Sequence, residues 1–293
     1  MLAQLLVNGL ASGCLFALLA LGFALIYNTT RIFHVAHGIT YTGAAYICYD
    51  LLINRGWNLP LAIGAALAGA ILLGLAVEFF IYAPLDRKKA STLIALLASL
   101  GLYVAGVNAL ALIFGSGTQI LQPNIQATYA FASVTLTYIQ LAQIATAVII
   151  LPLFIVFLKY STMGQNIRAV RDNPQLSRVL GTDPQRVRAV VFVLGSVLAG
   201  GAAILSALDV GVDPNAGLPA LLVAVVAFII GGLGTFEGPV LGAFLLGVLQ
   251  SLVVWKFEAR WTDAITFGVL ILFLLFRPQG ILGKRGRVEE STA

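Results

Sequence analysis

LLVNGLASGCLFALLALGFALI, residues 5–26, is an uncharged and almost wholly apolar stretch. A helix needs roughly 20 consecutive apolar residues to cross the hydrocarbon core of a bilayer, and this stretch supplies them. The rest of the chain is similar, since 60% of its 293 residues are hydrophobic, only 10% are charged and the mean hydropathy is +0.98. Soluble domains carry about 25% charged residues. The composition therefore indicates a membrane protein with many spans and no separate soluble domain.

Further apolar runs predict the other spans. They lie at 33–53, 59–81, 93–114, 139–158, 189–208, 218–233, 240–255 and 262–276. The predicted fold is all-α, a single polytopic domain over 1–293 with about 8–9 transmembrane helices. The runs at 218–233 and 240–255 could instead form a re-entrant hairpin, because broken backbone is tolerated at membrane depth where it is buried or lines a cavity.

The basic residues predict the orientation. If every run crosses the membrane and the N-terminus is outside, only Arg55, Lys256 and Arg260 of the 17 Lys and Arg lie outside. Cytoplasmic loops of membrane proteins are enriched in Lys and Arg. We therefore expect a multi-pass protein with a cytoplasmic C-terminus, which carries Lys284, Arg285 and Arg287. The same distribution argues against a nucleic-acid partner, because the charges lie in short loops.

A polar stretch, MGQNIRAVRDNPQLSRVLG at 163–181, lies inside the predicted cytoplasmic loop 159–188. Asn173 precedes Pro174, and a residue before proline is disfavoured in the helical region, so a first helix ends there. Pro174 suits the first turn of a second helix and Asn173 suits its N-cap. Gly181 after Leu180 is a typical C-terminal stop. The loop therefore predicts two short helices.

Both predicted helices have an apolar edge, formed by Ile167, Val170, Leu176, Val179 and Leu180. In the first helix, Arg168 and Arg171 share a face because they are three residues apart. Such a compact element can present a surface to another protein. An alternative is that the arginines only mark the cytoplasmic side or contact anionic lipid headgroups.

Two histidines lie near the start of the run 33–53. His34 and His37 are three residues apart, so on a helix they would share one face beside Gly38. Imidazoles at membrane depth often serve a translocation path or a gate. They could equally hydrogen-bond neighbouring helices and stabilise the packing. A metal site is not expected, because the sequence places no third ligand nearby.

A glycine-rich turn separates the runs 218–233 and 240–255. Gly231, Gly232, Gly234 and Gly238 allow close backbone approach, so the turn is either a tightly packed connection or part of a gate. It is not a phosphate-binding loop, since the chain has no Gly-x-x-x-x-Gly-Lys-Ser/Thr sequence. We therefore expect no catalytic residues and no cofactor in this chain, and an energy source in other subunits.

Five motifs resemble one family. The sequence resembles the LivH-like branched-chain amino acid ABC transporter permeases at ALLALG (17–22), FHVAHG (33–38), GQNIRAVRDNP (164–174) followed by LG (180–181), GGLGTFEGP (231–239) and FRPQGILG (276–283). One departure is His34, where the family's pattern has Asn. The motifs occur in the family's order and cover nearly the whole chain.

The resemblance implies an importer subunit in the bacterial inner membrane that forms the translocation pathway for amino acids. It implies two cytoplasmic ABC ATPases that bind ATP, a periplasmic substrate-binding protein, and a LivM-like paralogue or a second copy of this chain. It also implies that the 159–188 loop couples to the ATPase through Gly164, Arg168, Ala169, Arg171, Asn173, Pro174, Leu180 and Gly181. Related permeases carry urea and short amides, so the substrate stays open between these classes.

Two other function classes fit the sequence less well. Ion-coupled secondary transporters typically carry carboxylates or broken helices at the membrane midplane. Here the carboxylates cluster at span ends, as with Glu78, which could reach the membrane interface or pair with Arg87 or Lys88. An intramembrane enzyme would need a nucleophile with a base, or a metal cluster, and the two histidines have no matching acid partners.

Overall fold

The computed structural model of the protein describes residues 2–122, 127–131 and 134–283. The elements are α1 (Leu2–Thr30), α2 (His37–Tyr49), α3 (Leu59–Val77), α4 (Ala83–Arg87), α5 (Thr92–Phe114), β1 (Thr128–Phe131), β2 (Val134–Thr137), α6 (Tyr138–Tyr160), α7 (Thr162–Asp172), α8 (Pro174–Val179), α9 (Pro184–Val210), α10 (Gly217–Gly231), α11 (Gly238–Lys256) and α12 (Thr262–Phe276). Short π-helical segments, Asp50–Asn54 and Glu78–Tyr82, extend α2 and α3.

Several of the helices are long enough to span a bilayer. In the described part of the chain, seven helical segments are long and apolar enough to cross a membrane, and α10 is a shorter apolar helix. This confirms the predicted all-α, polytopic class. Several helices begin at the side-chain caps that local sequence favours: Asn58 accepts a hydrogen bond from the backbone N–H of Leu61 at 3.1 Å, and Thr137 and Gln140 form a reciprocal capping box.

α1 lies at the centre of the bundle. Every residue from Ala17 to Ile26 is buried, as expected for a helix that is apolar on all sides. Glycines let the neighbouring helices approach closely, since a Cβ on Gly9 would come within 2.7 Å of Val248 Cα in α11. Helices in membranes associate largely through such close packing of small residues. α1 is therefore the helix around which α9 and α11 assemble.

The helix in the second predicted span begins later than predicted and is not among the seven segments long and apolar enough to cross a membrane. Residues 31–36 are not helical, and α2 starts at His37, so the prediction that His34 and His37 share a helical face is wrong. α1 ends at Thr30, and Arg31 adopts a left-handed conformation with φ of 59°. Residues 33–36, three of which are apolar, indicated helix, but they form a nonhelical segment in which the Ala36 N–H donates to Ser99 Oγ at 2.8 Å. A side chain of α5 thus satisfies backbone that a helix would have satisfied internally.

The segments 218–233 and 240–255 form two separate helices, α10 and α11, and of these α11 is long and apolar enough to cross a membrane. At one end of α1, Asn28 Nδ2 donates to the carbonyl oxygen of Thr235 at 3.0 Å, within the turn between α10 and α11. At the other end, Ser251 Oγ donates to the carbonyl oxygen of Leu5 at 2.7 Å. α11 therefore runs along the whole of α1, which favours a crossing over a shallow re-entrant hairpin. α10 has 15 residues, about 22 Å, and is the shorter of the two.

The bundle has two distinct ends. One end carries the antiparallel hairpin of β1 and β2, and Gln4 at the start of α1 binds this hairpin, accepting from Thr135 N–H at 2.7 Å and donating to Thr135 O at 2.8 Å. We call this end the hairpin face. The opposite end, which we call the loop face, carries the end of α1, the turn between α10 and α11, and helices α7 and α8. Lys284, Arg285 and Arg287, assigned to the cytoplasm by sequence, lie outside the described residues.

Candidate functional site

α7 is held tightly against the loop face. Ser161 caps it by accepting from the Gly164 N–H at 2.9 Å, and Ile167 and Val170 are 0% and 2% exposed. A Cβ on Gly164 would lie 2.5 Å from the carbonyl oxygens of Phe157 and Leu158. Gly164 is therefore required by the sharp turn from α6 into α7. The predicted first helix is confirmed, and it begins two residues before Gly164.

α8 follows at once and points its apolar side chains outward. Asn173 ends α7 and caps α8, accepting from the N–H groups of Gln175 and Leu176 at 3.0 and 2.9 Å. Pro174 occupies the first turn, and Gly181 adopts φ of 88° just after α8, as the sequence predicted. The apolar side chains of Leu176, Val179 and Leu180 are 55%, 83% and 75% exposed. We call these three residues the apolar patch.

The two arginines of α7 have different surroundings. Arg168 Nη2 donates to the carbonyl oxygen of Lys159 at 3.0 Å, which ties α7 to the end of α6. Arg171 Nη1 donates to the carbonyl oxygen of Gly234 at 3.1 Å, and its guanidinium carbon lies 5.2 Å from the centre of the Phe236 ring. Ala169, another predicted coupling residue, is exposed, and its carbonyl oxygen accepts from Asn173 N–H at 2.9 Å. Arg171 thus joins the loop to the glycine-rich turn.

The turn between Gly231 and Gly238, which we call the glycine turn, is tightly packed. A Cβ on Gly231 would collide with the carbonyl oxygen of Gly238, and a Cβ on Gly238 would collide with the carbonyl oxygen of Gly231. Gly232 and Gly234 adopt φ of 122° and 82°, a region that side chains disfavour. The close packing accounts for the glycines. A gating role for them stays a prediction.

The loop and the glycine turn line a shared, partly open pocket of about 520 Å³. It is lined by Arg31, Arg168, Arg171, Asp172, Leu233, Gly234, Thr235, Phe236 and Glu237. The sequence patterns did not connect the loop with the turn. They also did not single out Arg31 and Phe236, which line the pocket, or Asn28, which hydrogen-bonds the turn. The one signal was Asn28 itself, a polar residue at the end of an apolar helix.

The histidines lie inside the subunit. His34 and His37 are both 0% exposed, with ring centres 5.5 Å apart. His34 Nδ1 lies 2.8 Å from the hydroxyl oxygen of Tyr82, and its ring packs edge-on to Phe192 at 5.2 Å. Gly38 packs against α10, since its Cβ would lie 3.1 Å from the carbonyl oxygen of Gly217. These contacts account for packing, and a role in translocation stays a prediction.

A buried ion pair braces the same end of the bundle. Glu78 is 3% exposed, and Arg188 donates to its two carboxylate oxygens from Nε at 2.8 Å and Nη2 at 3.2 Å. Arg188 also lies 3.2 Å from Asp86. The predicted pairing of Glu78 with Arg87 or Lys88 is therefore wrong. Among the described residues, no group of three or more His, Cys, Asp or Glu could hold a metal.

Comparisons with known proteins show which proteins the chain resembles. The family model described as branched-chain amino acid transport system / permease component matches residues 5–274. The chain is 32% identical over 295 residues to the high-affinity branched-chain amino acid transport system permease protein BraD of Pseudomonas aeruginosa, covering 96% of this chain and 95% of that protein. It is 30% identical over 299 residues to LivH of Escherichia coli K12, a permease protein of the same description, with the same coverage.

Two further similarities are broader. The chain is 32% identical over 282 residues to the autoinducer 2 import system permease protein LsrC of Escherichia coli, covering 93% of this chain and 79% of that protein. A structure of PsaBC from Streptococcus pneumoniae in complex with Fab matches with a TM-score of 0.54 at 11% identity, covering 93% of this chain and 91% of the other. At that identity the match shows the fold alone.

Proposed function

The chain belongs to the branched-chain amino acid transport permease family, and from that premise we propose that it forms part of the translocation pathway of an ABC importer for branched-chain or other apolar amino acids. Separate ATPase subunits would bind and hydrolyse ATP. A substrate-binding protein would deliver the amino acid. The observation that carries this proposal is the apolar patch on α8, because it is a surface built for a partner on a loop that is otherwise firmly anchored.

The apolar patch is better suited to burial against a protein partner than to exposure to water. Leu176, Val179 and Leu180 are large apolar side chains on a polar loop, and clustered exposed apolar residues on a water-facing surface commonly mark interaction sites. The cap at Asn173 and the stop at Gly181 hold α8 in one conformation, which lowers the entropy lost on binding. We assign this patch to the ATPase, with Arg168 and the neighbouring α7 residues at its edge.

The assembly we propose contains two permease subunits and two ATPases. Symmetric pairing is the commonest arrangement of oligomers, and it would give each permease one ATPase. The second permease would be a LivM-like paralogue or another copy of this chain. The domain we assign is one membrane domain over 1–293, with 159–188 as its coupling loop.

The orientation we propose places the loop face in the cytoplasm and the hairpin face outside the bacterial inner membrane. The basic residues of the loop support it, because Lys and Arg concentrate on the cytoplasmic side; they are Lys159, Arg168, Arg171, Arg178, Arg186 and Arg188. The hairpin and the start of α1 lie together on the opposite end, so an outside N-terminus follows from the same assignment.

The substrate class rests on the relatives' descriptions. BraD and LivH are named for branched-chain amino acid transport and align over nearly their whole length, whereas LsrC, named for autoinducer 2 import, aligns over 79% of its length. We therefore favour apolar amino acids over urea and short amides. The described helices place few charges in the membrane, which suits a solute selected mainly by a separate binding protein.

An association measurement tests this function. Val179→Asp puts a charge in the centre of the apolar patch, and we expect it to lower copurification of the cognate ATPase roughly tenfold, since a buried unpaired charge costs at least one 1.4 kcal/mol step. Gln175→Asp adds the same charge elsewhere on α8 and should leave copurification within about twofold. Equal copurification by both variants would refute the docking assignment. Uptake of radiolabelled leucine, with urea in parallel, tests the substrate class.

A further inference from the structure

Two surfaces of the loop point in opposite directions. The apolar patch on α8 faces away from the bundle, whereas the Arg171 side chain on α7 is only 20% exposed and turns inward. A residue that mainly docked a partner would present its charge outward. The burial of Arg171 therefore separates its task from that of α8.

Arg171 makes three contacts at once. Its Nη1 donates to the carbonyl oxygen of Gly234 at 3.1 Å, its Nε donates to Asp172 Oδ1 at 2.8 Å, and the guanidinium stacks over Phe236. Phe236 is 4% exposed, so the cation–π contact is largely shielded from water. Hydrogen bonds from a charged donor are stronger than neutral ones. This is the firmest polar connection that the structure shows between the loop and the glycine turn.

The glycine turn is also hydrogen-bonded by α1 and by the segment after α12. Asn28 is 0% exposed, accepts from Gly234 N–H at 3.2 Å and donates to Thr235 O at 3.0 Å. After α12 the chain returns to the same place, where Leu282 N–H donates to Gly231 O at 2.9 Å. The turn is thus a junction of α1, α10, α11 and the segment after α12, and Arg171 attaches α7 to it.

The helices on either side of the turn form a rigid pair. A Cβ on Gly242 in α11 would collide with the carbonyl oxygen of Ala227 in α10, so the two backbones are in direct contact. α11 packs in the same way on α1, where Gly247 faces Gly9 and Gly13. Packed elements that move as units can carry coupling between distant sites. A displacement of the glycine turn therefore moves α10 and α11 together.

We propose that the contact of Arg171 with Gly234 and Phe236, which we call the Arg171 clasp, transmits the movement of the coupling loop to α10 and α11. This inference rests on the proposed function and assigns Arg171 a positioning role: α8 binds the ATPase, and the clasp carries the displacement. The pocket of about 520 Å³ beside the clasp leaves unfilled space next to α7. Asn28 makes α1 part of the same moving unit.

The test is the ratio of transport to ATP hydrolysis. The chain is reconstituted into proteoliposomes with its partner permease, ATPases and binding protein, and uptake of radiolabelled leucine and release of phosphate are measured in the same vesicles. Arg171→Met preserves length and removes the charge and donors. We expect the leucine carried per ATP to fall roughly tenfold, the factor that the loss of one charge-assisted hydrogen bond represents. Copurified ATPase should stay within about twofold.

Three further variants make the result specific. Phe236→Leu keeps an apolar side chain and removes the aromatic ring, so it should lower the same ratio. Arg171→Lys keeps the charge and should restore part of it. Arg186→Met is the control, because Arg186 is an arginine on the same loop whose side chain is 86% exposed. It should keep the wild-type ratio.

Two outcomes would overturn the clasp. One is a wild-type ratio in Arg171→Met or, if that variant does not fold, in Phe236→Leu. The other is loss of the ATPase from Arg171→Met, which would make Arg171 a docking residue. Failure of the proposed function is distinguishable, because the wild-type chain would then not copurify with any ATPase.

Discussion

Arg188 and Glu78 form a two-point ion pair between α9 and the π-helical extension of α3, with side chains 13% and 4% exposed. Removing the charge of one partner leaves the other charge buried and unpaired. This lowers the free energy of unfolding by about 3 kcal/mol or more. Arg188 also contacts Asp86, so it links three segments on the loop face. The pair lies at the end of the bundle from which the 159–188 loop leaves.

Replacement of Glu78 by Gln should destabilise the protein measurably. We expect the melting temperature in detergent to fall on the order of 5–10 °C, from a loss of about 3 kcal/mol. Glu258→Gln breaks the Arg260–Glu258 pair, whose side chains are 72% and 70% exposed, and should shift the melting temperature by little. Equal shifts in both variants would show that the burial of Glu78 does not matter. Thermal unfolding followed by size-exclusion chromatography makes the measurement.

An alanine at Gly164 should disturb the entry into the coupling loop. Its Cβ would lie 2.5 Å from two carbonyl oxygens, so the backbone between α6 and α7 must shift. We expect reduced ATPase copurification together with normal insertion into the membrane, because the spans are untouched. Gly101→Ala is the matched control, since a Cβ there meets nothing within 4 Å. If Gly164→Ala binds ATPase as well as Gly101→Ala does, the turn is not under this constraint.

Cysteine labelling tests the orientation. Cys14 and Cys48 are buried, so the native thiols give little background with a membrane-impermeant maleimide. Thr128→Cys on the hairpin face and Gln175→Cys on the loop face both place a thiol at an exposed position. In intact spheroplasts we expect labelling of Thr128→Cys alone, and in inverted vesicles labelling of Gln175→Cys alone. The reverse pattern would invert the proposed topology.

Sequence reasoning was accurate where the signal is local. Asn173, Pro174 and Gly181 act on their immediate neighbours, so a cap, a first turn and a stop could be located without the rest of the fold. The same is true of the uncharged runs, whose length alone decides that they can cross a bilayer. The helix bounds accordingly differ from the predicted spans by a few residues at most of their ends.

Contacts between distant segments could not be predicted in the same way. Glu78 has Arg87 and Lys88 nearby in sequence, but the partner is Arg188 because the packing of α9 brings it there. Arg171 and Gly234 are 63 residues apart, and neither sequence motif indicates that the two residues are in contact. His34 was misplaced for a different reason: an apolar segment looks like helix whether or not Ser99 satisfies its backbone.

The glycine contact between α1 and α11 also bears on how the protein is made. α1 is synthesised early, yet Gly9 and Gly13 meet their counterpart Gly247 only when α11 has left the ribosome, after most of the chain. Until α11 is made, the face of α1 that carries Gly9 and Gly13 lacks its packing partner. A chain halted before α11 would therefore leave that face of α1 without the helix that packs against it in the folded protein.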